Sequence, residues 1–119
     1  MEKMYNILVV DDNIDTHTLL KYYLDDRFNL SSVFNGIEAV NIVNKIEFDV
    51  ILMDINMPEM NGIEASKIIH NKFPNIPIIS ISAYDNNHGD YKFDCYVTKP
   101  FKCNVLLSAL SKCLKTELN

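Results

Sequence analysis

"DVILMD", residues 49–54, holds an unbroken apolar run between two aspartates. A strand with one wet face alternates polar and apolar residues. A strand that does not alternate is buried on both faces, as in a parallel sheet covered by helices. The pattern repeats along the chain. Residues 6–10, "LSSVF" (30–34), "IPIISIS" (76–82) and "CYVT" (95–98) read as four more strands, the second of them weak. Helix-period segments lie between them. One carries Thr16, Leu19, Leu20, Tyr23 and Leu24 on a single face, with Asn13 as its cap. The next, opened by Asn35, carries Gly36, Ala39, Val40 and Val43, and another carries Ala65, Ile68, Ile69 and Phe73. The last carries Leu106, Ala109, Leu110, Cys113 and Leu114. The alternation predicts an α/β fold: a doubly wound, five-stranded parallel sheet with helices on both faces. An eight-stranded α/β barrel needs roughly twice this length.

Composition narrows the function. A chain of 119 residues predicts one domain over 1–119, and 48% apolar residues supply a core that a disordered segment lacks. The net charge of −5 and the absence of a Lys/Arg cluster argue against nucleic acid as a partner. No apolar run is long enough to span a membrane, and "MEKMYNILVV" lacks the features of a signal peptide, so a cytoplasmic location is expected. Cys95, Cys103 and Cys113 form no CxxC pair and read as reduced thiols, with Cys113 packed on an apolar helix face. His17, His70 and His88 are isolated and expected at the surface.

The strand ends carry the chemistry. Ligands of an open α/β sheet sit beyond the carboxyl ends of its strands, near a switch in strand order. "ILVVDDN" (7–13) runs from its strand into Asp11 and Asp12. The strand at 49–54 ends in Asp54, the next in Ser82, and the last in Thr98-Lys99-Pro100. Any one of these is an ordinary solvated strand end; together they make a site. Three carboxylates brought close raise one another's pKa and call for a cation. Mg²⁺ suits a few carboxylates plus water, and it binds phosphoryl oxygens in turn. Lys99 adds a point charge for the same oxygens, Ser82 a hydroxyl donor, and a carboxylate is a competent nucleophile towards phosphorus.

With these residues in order, the chain resembles the response-regulator receiver domains of two-component phosphorelays over essentially its whole length. The motifs that carry the resemblance are "ILVVDDN", "DVILMDINMPEMNG", "SA" and "YVTKPF". It implies a flavodoxin-like sheet and Asp54 as phosphoacceptor. It implies that Asp11, Asp12, Asp54 and the backbone carbonyl of Asn56 hold Mg²⁺. It implies that Lys99 contacts the phosphoryl group, and that the bond to Pro100 is cis. Ser82 matches the switch hydroxyl and Tyr96 the aromatic that turns inward on activation. Tyr84, two positions after Ser82, matches a residue beside the path of the attacking water. The implied partner is a histidine kinase or histidine phosphotransfer protein, with a downstream protein target. The implied activity is self-phosphorylation and slow autodephosphorylation, not turnover of other substrates.

The sequence departs from the family in one place. Lys99 follows Ser82 by only 17 positions (99 − 82), and Asp85, Asn86, Asn87, His88 and Gly89 favour turns. A shortened or missing fourth helix is expected, with at most one turn near 89–93. A mobile segment over 84–94 and apolar sheet surface left uncovered are expected with it. Two other readings compete. A haloacid dehalogenase-type phosphatase needs a second Asp two residues after its nucleophile, where this chain has Asn56. A pseudo-receiver, acting as a phosphorylation-independent interaction module, draws support only from the shortened segment. No effector domain is read in the chain, which suits a stand-alone receiver or one cut from a longer protein.

Overall fold

Alternate residues of each central strand enter opposite layers, and that alternation builds the molecule. The structure is a computed structural model and describes residues 4–24, 26–57, 60–83, 91–116 and 118. In chain order the elements are β1 (Tyr5–Val10), α1 (Ile14–Leu24), β2 (Phe28–Val33), α2 (Gly36–Ile42), β3 (Val50–Asp54), α3 (Gly62–Lys72), β4 (Ile78–Ser82), β5 (Cys95–Thr98) and α4 (Cys103–Leu114). All five strands pair in parallel, in the order β2-β1-β3-β4-β5. The chain runs outward from β1 to β2, then returns across β1 to β3. The topological switch therefore falls between β1 and β3, where the acid-bearing strand ends lie side by side.

Ile7, Val9, Val50, Leu52, Ile79 and Ile81 face one layer, packed with Leu20 and Leu24 of α1 and Leu106 and Leu110 of α4. Leu8, Val10, Ile51, Met53 and Ile78 face the other, with Ala39 of α2 and Ala65 and Ile69 of α3. All five residues of β3 are buried, as the unbroken apolar run requires. The caps match their residue types. Asn13 accepts the Asp15 N–H at 2.9 Å, and Asn61 accepts that of Glu64 at 2.9 Å. Asn35 accepts the Glu38 N–H at 2.8 Å while Glu38 reaches back to the Phe34 N–H at 2.7 Å.

Several expectations shift. β2 begins at Phe28, ahead of the predicted 30–34, because the buried Phe28 ring starts the pairing opposite Tyr5. Leu19 and Ile68 lie at the flanks of their helices and are exposed. His17 is buried and His70 half-buried, not at the surface, since each ring is hydrogen-bonded within the fold. Cys113 does pack against the α4 layer, where burial and the neighbouring Cys95 push its thiol up to about 12.

The region between β4 and β5 answers the question of cover in part. Most of it, including Tyr84, Gly89 and Asp90, lies outside the described residues. Residues 91–93 form no helix, and the described residues hold four helices in all. The sheet beneath is nevertheless not bare. Phe93 is buried in the α2–α3 layer and Tyr91 packs on it edge-to-face, with ring centroids 4.9 Å apart. The Tyr91 hydroxyl meets His70 Nδ1 and donates to the Ser66 carbonyl at 3.3 Å, tying the segment to α3. The same sheet face also carries little apolar surface to hide. Ser80 lies opposite Tyr96, and Ser82 opposite Thr98. The apolar residues of β4 are buried, Ile78 beneath Phe93 and Ile79 and Ile81 in the opposite layer, so the exposure expected from the sequence falls, among the described strands, on Tyr96 of β5.

Candidate functional site

Each strand end delivers its residue as the topology requires. Asp11 follows β1 directly, Asp54 closes β3 and Ser82 closes β4; all three are buried. Asp12 is exposed. One carboxylate oxygen from each of Asp11, Asp12 and Asp54 lies within 4.8 Å of the others. Lys99 Nζ donates to Asp11 Oδ2 at 2.8 Å and stands 4.0 Å from Asp54 Oδ1. The Asn56 N–H donates to Asp54 Oδ1 at 3.3 Å, and the Asn13 N–H to Asp11 Oδ1 at 2.8 Å. An open cleft of about 560 Å³ exposes the group, walled by Asp12, Asn13, Asp54, Asn56, Ala83 and Lys99.

The electrostatics follow from the placement. Burial and then the neighbouring Asp11 carboxylate push Asp54 from 3.8 up to about 7, against the opposing pull of Lys99 and the Asn56 N–H. One ammonium is insufficient for three acids in so small a space. The donor set is all oxygen, so the residues fit a hard divalent cation such as Mg²⁺ and not a soft one.

The backbone around Asp54 is drawn tight. The Gly62 N–H donates to the Ile55 carbonyl at 3.0 Å, folding the β3–α3 connection back on itself. A Cβ on Gly62 would stand 2.2 Å from the Asp54 carbonyl oxygen. Only glycine permits that approach. On the far side, the Lys99 N–H donates to the Ser82 carbonyl at 2.7 Å, and the Lys99–Pro100 bond is cis. Tyr96 points outward and is half exposed (51%), its hydroxyl accepting the Phe93 N–H at 3.0 Å.

Asp11, Asp12, Asp54, Asn56 and Lys99 are thus brought together, with Ser82 at the adjacent strand end, while Tyr96 stands apart. The sequence places His17 at the surface and Gly62 only as loop punctuation, and shows neither the ring's hydrogen bonds nor the close approach to Asp54. His17 was legible as a member of the stripe 17, 20, 24 on α1, and Gly62 as the last residue of the loop after Asp54.

Residues 7–111 match the response regulator receiver domain model. The chemotaxis protein CheY of Listeria monocytogenes is 33% identical over 122 residues, covering 94% of this chain and 100% of that protein. A probable transcriptional regulator, ycf29 of Porphyra purpurea, is 33% identical over 115 residues, covering 89% of this chain and 54% of that protein. The chain spans about half the length, or less, of several curated relatives that it matches. Response regulator TrrA of Thermotoga maritima, solved with magnesium and beryllofluoride, superposes with a TM-score of 0.86 at 32% identity, covering 93% of this chain and 100% of that one. The receiver domain of a Pseudomonas aeruginosa sensor histidine kinase, with magnesium coordinated in its cleft, gives 0.87 at 27% identity, covering 96% and 100%. A family match over 7–111 that takes in β2 to β5, most of β1 and the acid cluster between them leaves one assignment: the chain belongs to the response regulator receiver domains of two-component systems.

Proposed function

We propose that this receiver domain takes a phosphoryl group onto Asp54 from a phosphohistidine of a histidine kinase or histidine phosphotransfer protein, in a Mg²⁺-dependent reaction, and thereby switches a protein-interaction surface. The observation that carries the reading is Asp54 itself. It is a buried carboxylate at the end of β3, within 4.8 Å of two more acids and 4.0 Å from an ammonium, at the wall of an open cleft.

In the proposed step a deprotonated Asp54 oxygen attacks phosphorus in line, the P–N bond to the donor imidazole breaks, and the electron pair leaves with the ring. Mg²⁺, when bound, offsets charge on the phosphoryl oxygens. Asp11, Asp12, Asp54 and the Asn56 carbonyl would hold it. Lys99 pairs with a phosphoryl oxygen in place of part of its bond to Asp11, and the Ser82 hydroxyl donates to another. Water then hydrolyses the acyl phosphate and returns Asp54 to its free carboxylate. The chain performs this on itself and turns over no other substrate. The output is a population shift in which Ser82 moves towards the phosphoryl group. Tyr96 gives up the Phe93 N–H and turns into the space vacated, altering the surface presented to a downstream protein.

Beryllofluoride with Mg²⁺ mimics the acyl phosphate, so an amide NMR titration tests the reading. Shifts at Ser82, Tyr96 and Lys99 that vanish in Asp54→Ala are expected. A spectrum that does not move would assign the chain to phosphorylation-independent interaction modules instead.

A further inference from the structure

His17, in the first turn of α1, is a buried polar ring that the proposed mechanism does not use. Both of its nitrogens are engaged. Nε2 lies 2.7 Å from the Asp11 carbonyl oxygen and Nδ1 lies 2.9 Å from Ser32 Oγ. A carbonyl oxygen only accepts, so Nε2 carries the proton and donates; in the neutral ring Nδ1 then accepts from the Ser32 hydroxyl. The Phe34 ring packs beside it, centroid to centroid at 4.5 Å.

This bond completes the restraint on Asp11. Its N–H donates to the Val33 carbonyl at 3.2 Å, its Oδ1 accepts from Asn13 at 2.8 Å, and its Oδ2 accepts from Lys99 at 2.8 Å. Those three bonds fix the amide and the carboxylate. The remaining group, the Asp11 carbonyl, belongs to the peptide plane that joins Asp11 to Asp12. Rotating that plane would move the two carboxylates relative to each other. A leucine would fill the same space on α1 with no polar group to satisfy. What the histidine adds is a fixed peptide plane.

We infer that His17 is a positioning residue for the acid pair: by donating from Nε2 to the Asp11 carbonyl, with Ser32 as the opposite anchor, it sets the spacing of Asp11 and Asp12 for a divalent cation. The inference rests on the cation-holding role proposed above. Loss of a partner in the outer shell of a metal site weakens affinity by about tenfold or more.

The test is a Mg²⁺ titration of the whole chain followed by amide NMR, with thermal melts recorded without metal. In His17→Leu, the Mg²⁺ dissociation constant should rise about tenfold while the fold persists. In His17→Gln, whose side-chain amide reaches the same carbonyl, most of the loss should be recovered. Wild-type affinity in a folded His17→Leu, or no recovery in His17→Gln, would overturn the inference. Should His17→Leu not fold, Ser32→Ala decides: weakened Mg²⁺ binding supports the inference and unchanged binding overturns it. If the wild-type chain shows no Mg²⁺-dependent shifts, the proposed function itself fails. Intact wild-type binding with an indifferent His17→Leu removes only the role of His17.

Discussion

Lys99 Nζ stands 2.8 Å from Asp11 and 4.0 Å from Asp54, so the ammonium lies closer to Asp11 than to Asp54. In this position it competes with a cation for Asp11. Lys99→Met should therefore bind Mg²⁺ several-fold more tightly than the wild type, because a like charge has left the site. Phosphorylation of Asp54 should nonetheless slow by roughly 100-fold, because a donor to the phosphoryl oxygens has gone. Calorimetric Mg²⁺ titration and single-turnover labelling measure the two effects, which have opposite signs.

Asp54 should couple stability to pH. Its carboxyl is pushed from 3.8 up to about 7 in the fold, so the folded state holds the proton more tightly than the unfolded state. The resulting stabilisation is complete below the unfolded value and is lost as pH rises through the folded one. In metal-free protein, Asp54→Asn should be more stable than the wild type by up to about 4 kcal/mol at pH 8, a rise in melting temperature of more than about 10 °C. The advantage should disappear near pH 4. Paired denaturant melts across that range read the difference directly.

Gly62→Ala should damage the site from outside it. The new methyl would meet the Asp54 carbonyl oxygen at 2.2 Å and Ile55 Cα at 2.8 Å, both backbone atoms with little room to yield. A loss of about 2 kcal/mol is expected, together with slower phosphorylation at unchanged donor concentration. Gly36→Ala is the companion variant. Its methyl would meet the Met60 carbonyl at 2.6 Å, at the far end of the same connection. Equal labelling rates in wild type and Gly62→Ala would show that the close approach does not govern the site.

The acid cluster was legible because three separate apolar runs end in chemistry. Parallel strands bring like ends together, so Asp11, Asp54 and Ser82 could be placed without coordinates. The strand alternation was legible for the same reason: a period of two assigns Val9 and Val10 to opposite layers. His17 was misread because a polar residue on a mostly apolar helix face looks like a surface residue until its two partners, 6 and 15 residues away, are known. The tight approach at Gly62 depends on how the loop after Asp54 folds back, which no local pattern encodes. Tyr91 and Phe93 were legible as the apolar residues able to cover the sheet, but not how firmly they do so, because residues two apart do not share a helix face and their anchor on α3 is a tertiary contact.

The most direct measurement is intact mass after incubation with Mg²⁺ and a small-molecule acyl phosphate, followed by mapping of the modified residue. A gain of one phosphoryl group on Asp54, absent after chelation of the metal and absent in Asp54→Asn, is the predicted result. A phosphoryl group that persists in Asp54→Asn, or that maps to another residue, would contradict the role assigned to the acid cluster.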